Sequence, residues 1–100
     1  MVKYLEKESD FKEIVSKGVT LVDFYADWCG PCQAMGKVLE EMKDVNILKV
    51  NTDDFDQLSA SFGVMSIPTL ILIKDGEEVD KRIGLQSKSE LEEFIKSANE

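Results

Sequence analysis

Two cysteines, Cys29 and Cys32, are the only ones in the 100-residue chain, and two residues separate them. They follow the apolar segment 19–25 and precede a segment whose apolar residues recur with helical spacing. A Cys-x-x-Cys pair at the end of a strand and the start of a helix can alternate between dithiol and disulfide, because its sulfurs lie one helical turn apart. The spacing therefore predicts a redox centre.

The two cysteines are predicted to have different roles. Cys29 falls near the N-cap of the helix, where unpaired backbone N–H groups and a partial charge of about +0.5 favour a thiolate, so we expect it to be the nucleophile. Cys32, three residues later on the same face, is expected to attack the mixed disulfide and release the reduced substrate. Between them, Gly30 lets a partner backbone come close and Pro31 sets φ for the first helical turn.

A structural disulfide and a metal site are the alternatives to a redox pair. A disulfide that closes a ring of about four residues contributes only about 2 kcal/mol in the chain-entropy estimate, against about 3 kcal/mol for a 15-residue loop. A zinc site needs four ligands, and the chain has no histidine and no further cysteine. A metal site would therefore have to be shared between chains, and we expect no bound metal.

Asp23 is the unusual residue of its strand, because an ionised carboxylate among apolar neighbours is costly if it is buried without a partner. We therefore expect its pKa to be raised. It lies on the same strand face as Leu21 and Tyr25, beneath the start of the helix, where it could take the proton of Cys32. Lys49 interrupts the next apolar strand and is predicted to approach Asp23. A purely structural ion pair is the alternative.

The elements that must position these residues follow from apolar periodicity and turn signals. The pattern predicts an edge strand at 2–5, a central strand at 19–25 and further strands at 47–50, 69–74 and 77–83. Helices are predicted around 11–15, from the cysteines to about 42, at about 55–62 and from 87 to about 98. This order predicts an α/β fold, with a central mixed sheet of about five strands flanked by about four helices.

Local signals mark several ends of these elements. Asp53 or Asp54 is predicted to cap the third helix, and Gly63 to end it in the left-handed conformation. The dipeptide 75–76, Asp-Gly, suits a tight hairpin turn between the last two strands. Ser87 and Glu90 form a capping-box pattern at the start of the last helix.

Length, charge and hydropathy restrict the class of protein. One hundred residues, 43% apolar and 32% charged, are typical of a single globular domain, here 1–100. Twenty acidic against 12 basic side chains give a formal charge of -8, which disfavours nucleic acid and anionic lipid surfaces as partners. No segment approaches about 18 consecutive apolar residues and the first residues lack a long apolar stretch, so we expect no membrane span and a cytoplasmic location.

The segment 22–32, Val-Asp-Phe-Tyr-Ala-Asp-Trp-Cys-Gly-Pro-Cys, together with 66–69, Ser-Ile-Pro-Thr, and Gly84, closely resembles the thioredoxins. The resemblance extends from the first strand to the last helix. It implies the thioredoxin fold and the reduction of protein disulfides by a dithiol, with thioredoxin reductase and disulfide-containing proteins as partners. It also implies that the redox-active Cys29–Cys32 disulfide works without a bound cofactor. We expect a monomer.

The resemblance also implies roles for residues away from the cysteines. Asp23 would be the proton acceptor, coupled to Lys49. The bond between Ile67 and Pro68 would be cis, against the base rate for such bonds, and would leave the Ile67 backbone free to pair with an extended substrate. Gly84 would line the same groove.

Trp28 either covers the site or packs into the core, and we expect it to support the cysteines and contact substrate. Two other functions remain open: a binding module whose thiols are idle, and a net oxidant or isomerase. The chain departs from the commonest thioredoxin pattern at four positions, which leaves its partner preference open. These are Tyr25, Gln33, Lys37 and Ser66. Gly36 with Lys37 is predicted to be a flexible point where many thioredoxins have a proline kink.

Overall fold

Five strands form one mixed sheet in a computed structural model that describes residues 1–99. The strands are β1 (Val2–Tyr4), β2 (Val19–Tyr25), β3 (Asn46–Asn51), β4 (Thr69–Lys74) and β5 (Glu77–Ile83). The helices are α1 (Phe11–Ile14), α2 (Gly30–Glu40), α3 (Asp56–Ser61) and α4 (Lys88–Lys96), with short 3-10 turns at Glu8–Asp10 and Ser97–Asn99. The predicted order of strands and helices and the α/β fold class are confirmed.

The sheet has the strand order β1-β3-β2-β4-β5, so β2 lies at its centre and β1 at one edge. Strands β1, β3 and β2 are parallel, whereas β4 and β5 are antiparallel to their neighbours. Residues of β2 are buried on both faces, as the continuous run of apolar residues predicts. The register places Asp23 opposite Lys49 of β3 on one side and Leu70 of β4 on the other.

Two apolar cores cover the two faces of the sheet. The first joins the sheet to α2 and α4 and includes Leu21, Met35, Leu39, Leu72, Leu91 and Phe94. The second joins the opposite face to α1 and the α3 region and includes Phe11, Val15, Val22, Phe24 and Ile71. Because side chains of a strand alternate between faces, Leu21 and Asp23 share the face beneath α2. The fold therefore brings a carboxylate under the helix that begins at the cysteines.

The start of α3 differs from its prediction. Neither Asp53 nor Asp54 caps the helix; Phe55 occupies the N-cap position without a side-chain hydrogen bond. The Asn51 side-chain oxygen instead accepts hydrogen bonds from the backbone N–H groups of both aspartates, at 2.8 and 3.3 Å. An asparagine that accepts from the backbone two and three residues ahead forms a turn, and this turn delays the helix. At the other end, Gly63 has φ +70° as predicted.

Other element ends are close to the predictions. The Asp75-Gly76 turn has positive φ at both residues and joins β4 to β5. Helix α2 ends at Glu40, before Met42, which is nonetheless buried in the first core. The helix continues without interruption through Gly36 and Lys37, so the predicted flexible point does not break it.

The capping box of α4 is present, and its removal is expected to weaken this helix. The Ser87 hydroxyl accepts from the Glu90 N–H at 3.1 Å, and the Glu90 carboxylate accepts from the Ser87 N–H at 2.9 Å. The hydrogen bond from the Ser87 backbone lowers the pKa of Glu90. We expect Ser87→Ala to lower the free energy of unfolding by about 1 kcal/mol, measured with denaturant. Ser9→Ala, at an exposed serine, is the control, and an equal loss in both variants would contradict the capping role.

Candidate active site

The cysteine pair lies where the carboxyl end of β2 leads into α2. Cys29 is the N-cap residue of α2, and Cys32, in the first turn, forms a disulfide with it. Their Cα atoms are 5.2 Å apart, and both residues are buried. Cys29 Sγ accepts a hydrogen bond from the Cys32 backbone N–H at 3.2 Å. The helix end therefore directs an N–H group at the sulfur predicted to be the nucleophile, where it would stabilise a thiolate.

The loop before β4 faces this sulfur. The Ile67–Pro68 peptide bond is cis, as the resemblance implied. The Ile67 carbonyl oxygen lies 3.9 Å from Cys29 Sγ. Gly84, with φ +90°, donates its N–H to the Pro68 carbonyl at 2.8 Å. The predicted groove residues Ile67, Pro68 and Gly84 are thus brought together beside the disulfide.

Trp28 lies on the surface rather than in the core, with 72% of its area exposed. Its indole Nε1 donates a hydrogen bond to the Asp53 carboxylate at 2.9 Å. Asp53, predicted to cap a helix, therefore contacts the tryptophan beside the cysteines instead. An exposed indole with a fixed ring nitrogen offers an apolar surface next to the disulfide.

Asp23 and Lys49 form a buried pair beneath α2. The carboxylate is 0% exposed, and Lys49 Nζ lies 3.6 Å from its Oδ2. That separation is an ion-pair distance rather than a hydrogen bond, and among the described residues neither oxygen of Asp23 has a hydrogen-bond partner. Burial raises the pKa of Asp23 to about 6, although the positive charge of Lys49 acts in the opposite direction. The raised pKa and the approach of Lys49 agree with the sequence predictions.

Two contacts of α2 were not predicted from the sequence. The Gln33 side-chain amide donates to the Asp27 carbonyl at 3.1 Å, which ties the helix to the loop before the cysteines. Gly36 faces the lysine of the buried pair: a Cβ at this position would lie 3.3 Å from Lys49 Nζ. A glycine in the middle of a helix is a signal of close approach, and here it leaves room for an ammonium group.

The surface around the disulfide is shallow. A cleft of about 300 Å³ is lined by Trp28, Met65, Ile67 and neighbouring residues, and two clefts of about 710 Å³ lie away from the cysteines. The site is therefore a surface with a reactive disulfide rather than a deep pocket.

Within residues 1–99, no group of three or more histidine, cysteine or acidic side chains could hold a metal ion. In the same part of the chain, no helix is long and apolar enough to cross a membrane.

Known proteins resemble this chain over nearly its full length. The sequence profile of the thioredoxin family matches residues 2–97. A thioredoxin of Staphylococcus saprophyticus is 50% identical over 93 residues, which cover 88% of this chain and 89% of the relative. A thioredoxin of Chlamydia caviae is 46% identical over 99 residues, which cover 95% of this chain and 96% of the relative. Among solved structures, a mutant thioredoxin of Halobacterium salinarum has a TM-score of 0.91 and 38% identity, and the match covers 99% of this chain and 91% of that one. With this fold, this cysteine pair and these relatives, the chain belongs to the thioredoxin family of protein-disulfide oxidoreductases.

Proposed function

We propose that the protein works as a reductant of disulfides in other proteins, with Cys29 as the nucleophile and Cys32 as the resolving thiol. The observation that carries this assignment is the position of Cys29 at the N-cap of α2, where its sulfur accepts the N–H of Cys32 at 3.2 Å. The same N–H group and the helix dipole favour the thiolate once the disulfide is reduced. Thioredoxins are an established example of a cysteine pKa lowered in this way, so the direction is a property of the family.

The reaction proceeds in two exchanges of sulfur bonds. The Cys29 thiolate attacks one sulfur of the substrate disulfide, which forms a mixed disulfide and releases the other substrate sulfur as a thiolate. The Cys32 thiolate then attacks Cys29 Sγ, releases the second substrate sulfur, and forms the Cys29–Cys32 disulfide seen in the structure. The substrate gains two electrons, and a thioredoxin reductase returns two electrons to the protein.

Asp23 is proposed to accept the proton that Cys32 loses before it attacks. A buried carboxylate with a pKa of about 6 is a better base than an exposed one, and its pKa is closer to that of a thiol, about 8.5 in model peptides. Lys49, 3.6 Å away, supports the charged form of Asp23 between reaction cycles. A neighbouring base of this kind accelerates the second exchange, because the thiolate and not the thiol is the nucleophile.

The substrate is proposed to bind as an extended segment across Ile67, Pro68 and Gly84. The nearness of the Ile67 carbonyl to Cys29 Sγ supports backbone pairing beside the disulfide. The shallow surface and the exposed Trp28 support a polypeptide substrate rather than an enclosed small molecule. Main-chain pairing tolerates many sequences, so specificity for a particular substrate is expected to be low.

Cys32→Ser tests the order of attack. This variant keeps the nucleophile but lacks the resolving thiol, so it is expected to accumulate a stable mixed disulfide through Cys29. Mass spectrometry after incubation with a disulfide-bonded peptide measures the adduct, with Cys29→Ser as the matched control. Adducts that form on Cys32 in Cys29→Ser, with none in Cys32→Ser, would reverse the two roles.

A cytoplasmic location, a thioredoxin reductase as electron donor and a monomeric state complete the proposal. The reducing conditions of the cytoplasm keep a dithiol available, which supports the direction of the reaction. The reduction potential distinguishes a reductant from a net oxidant. A value of about -270 mV, as is typical of thioredoxins, supports a reductant, whereas a value of about -120 mV would identify an oxidant.

A further inference from the structure

The Lys49 ammonium is enclosed by more than its ion pair with Asp23. It lies 4.5 Å from the ring centroid of Tyr25 and 5.6 Å from that of Tyr4. The two rings meet edge to face, with centroids 6.2 Å apart and an interplanar angle of 77°. We call Tyr4 and Tyr25 the tyrosine pair. Both distances lie within the range in which a ring face attracts a cation, about 6 Å from the centroid.

Strand register explains why these groups meet. Tyr4 of β1 is opposite Lys49 of β3, which is opposite Asp23 of β2. Partners in register share one face of a sheet, so the three side chains form a row from the edge of the sheet to its centre. Tyr25 lies two residues beyond Asp23 on the same face. Above the row, α2 presents Gly36, which leaves room for the ammonium.

Attraction to the tyrosine pair compensates for part of the hydration free energy that the Lys49 ammonium loses on burial. The lysine side chain is only 11% exposed, and its distance of 3.6 Å from the carboxylate is too long for a hydrogen bond. A desolvated ammonium gains more from an aromatic face than an exposed one does. Burial raises the pKa of Tyr25, so its phenol is uncharged at neutral pH and the attraction to the ammonium comes from the ring face rather than from a phenolate.

The groups around Asp23 come from its own strand, from the strands on both sides and from the helix above. Lys49 comes from β3 and Tyr25 from the same strand, while β4 contributes the apolar Leu70 at this register. The covering helix α2 carries Cys32 in its first turn. Lys49 is the basic group that lowers the proton affinity of this carboxylate. Whatever fixes the position of Lys49 therefore acts on Asp23.

We propose that Tyr4, on the edge strand, is a positioning residue of the redox site: with Tyr25 it holds the Lys49 ammonium beside Asp23 and so sets how readily that carboxylate takes a proton. Tyr4 is 57% exposed, so it links the outer surface of the protein to the buried base. The inference rests on the proposed role of Asp23 in the second exchange. It adds a residue that the Cys-x-x-Cys motif and its flanking residues do not include.

Tyr4→Leu tests the proposal, with Tyr4→Phe as the matched control because it keeps the ring. Without the ring, Lys49 moves more freely and supports the Asp23 carboxylate less. We expect the pKa of Asp23 to rise by about 0.5, equal to about a three-fold increase in proton affinity, while Tyr4→Phe titrates like the wild type. Carboxyl NMR titration of the disulfide form measures this directly. Tyr4→Val, a residue suited to strands, repeats the test if the leucine variant folds poorly.

A second measurement distinguishes the proposed role of Tyr4 from the proposed role of Asp23. The pH midpoint of the release step, followed with a preformed mixed disulfide, is expected to move upward by the same amount in Tyr4→Leu. An unchanged or lowered pKa of Asp23 in the folded variants would overturn the role of Tyr4. A raised pKa with an unchanged release profile would leave the positioning of Lys49 intact and contradict the proposed role of Asp23 instead.

Discussion

Replacement of Cys29 by serine is expected to abolish disulfide reductase activity. With dithiothreitol as electron source, the wild type should accelerate the reduction of a disulfide-containing test protein, whereas Cys29→Ser should leave only the rate of dithiothreitol alone. The reason is that the hydroxyl of serine remains protonated at neutral pH, whereas the helix terminus favours the Cys29 thiolate. The measurement is the rate of reduction at equal protein concentration.

The double variant Cys29→Ser, Cys32→Ser is the second arm of this experiment. It tests whether the protein needs its thiols for its biological function. Full biological function of the double variant would favour a binding module with idle thiols. Equal rates of reduction by the wild type and Cys29→Ser would contradict the assignment of the nucleophile.

Replacement of Asp23 by asparagine is expected to make the oxidised protein more stable at neutral pH by up to about 3 kcal/mol. Burial raises the pKa of Asp23 to about 6 in the folded protein, against about 3.9 in an unfolded chain. At pH values between these two pKa values, the folded state binds more protons than the unfolded state does. The contribution of Asp23 to stability is therefore fully present below about pH 4 and is lost as the pH rises to about 6. Asparagine keeps the size of the side chain and removes the cost of burying a charge.

Denaturant unfolding at several pH values measures this difference. The variant should lose less stability than the wild type between about pH 4 and about pH 6. Asp80 titrates in the opposite sense, since hydrogen bonds from the Lys81 backbone and from Arg82 lower its pKa, but it does so equally in both proteins. Asp54→Asn, at an exposed carboxylate, controls for the loss of one negative charge.

The same variant is expected to release substrate more slowly, because it lacks the carboxylate proposed to accept the proton of Cys32. The decay of a preformed mixed disulfide at neutral pH measures this step. Strong destabilisation at neutral pH together with an unchanged release rate would show that Asp23 is a structural partner of Lys49 and not the proton acceptor.

Local features of the chain were predictable because they depend on residues close in sequence. The Cys-x-x-Cys spacing located the disulfide, and the capping pattern of Ser87 and Glu90 located the start of α4. The Asp75-Gly76 dipeptide located the hairpin turn. The long apolar run of β2 predicted its central position, since a strand covered on both faces has few polar residues in its sequence. Even the burial of Asp23 followed from its apolar neighbours.

The resemblance to the thioredoxins predicted features that local sequence patterns either did not predict or argued against. Base rates favour a trans bond before Pro68, whereas the resemblance implied the cis bond that the structure has. The resemblance also gave Gly84 and Ile67 a common groove, although 17 positions separate them in the sequence. Hydrogen bonding between Gly84 and Pro68 closes that distance in the fold.

The sequence by itself therefore determined the reactive pair, the order of elements and the α/β class, because these depend on short-range spacing and periodicity. Tertiary structure decided where side chains from distant segments meet. Asn51 delays α3, Asp53 fixes the exposed indole of Trp28, and Gly36 makes room for Lys49. Tyr4 reaches the same lysine from the edge strand. Such contacts depend on strand register and on packing between layers, which fix distances only once the whole sheet has formed.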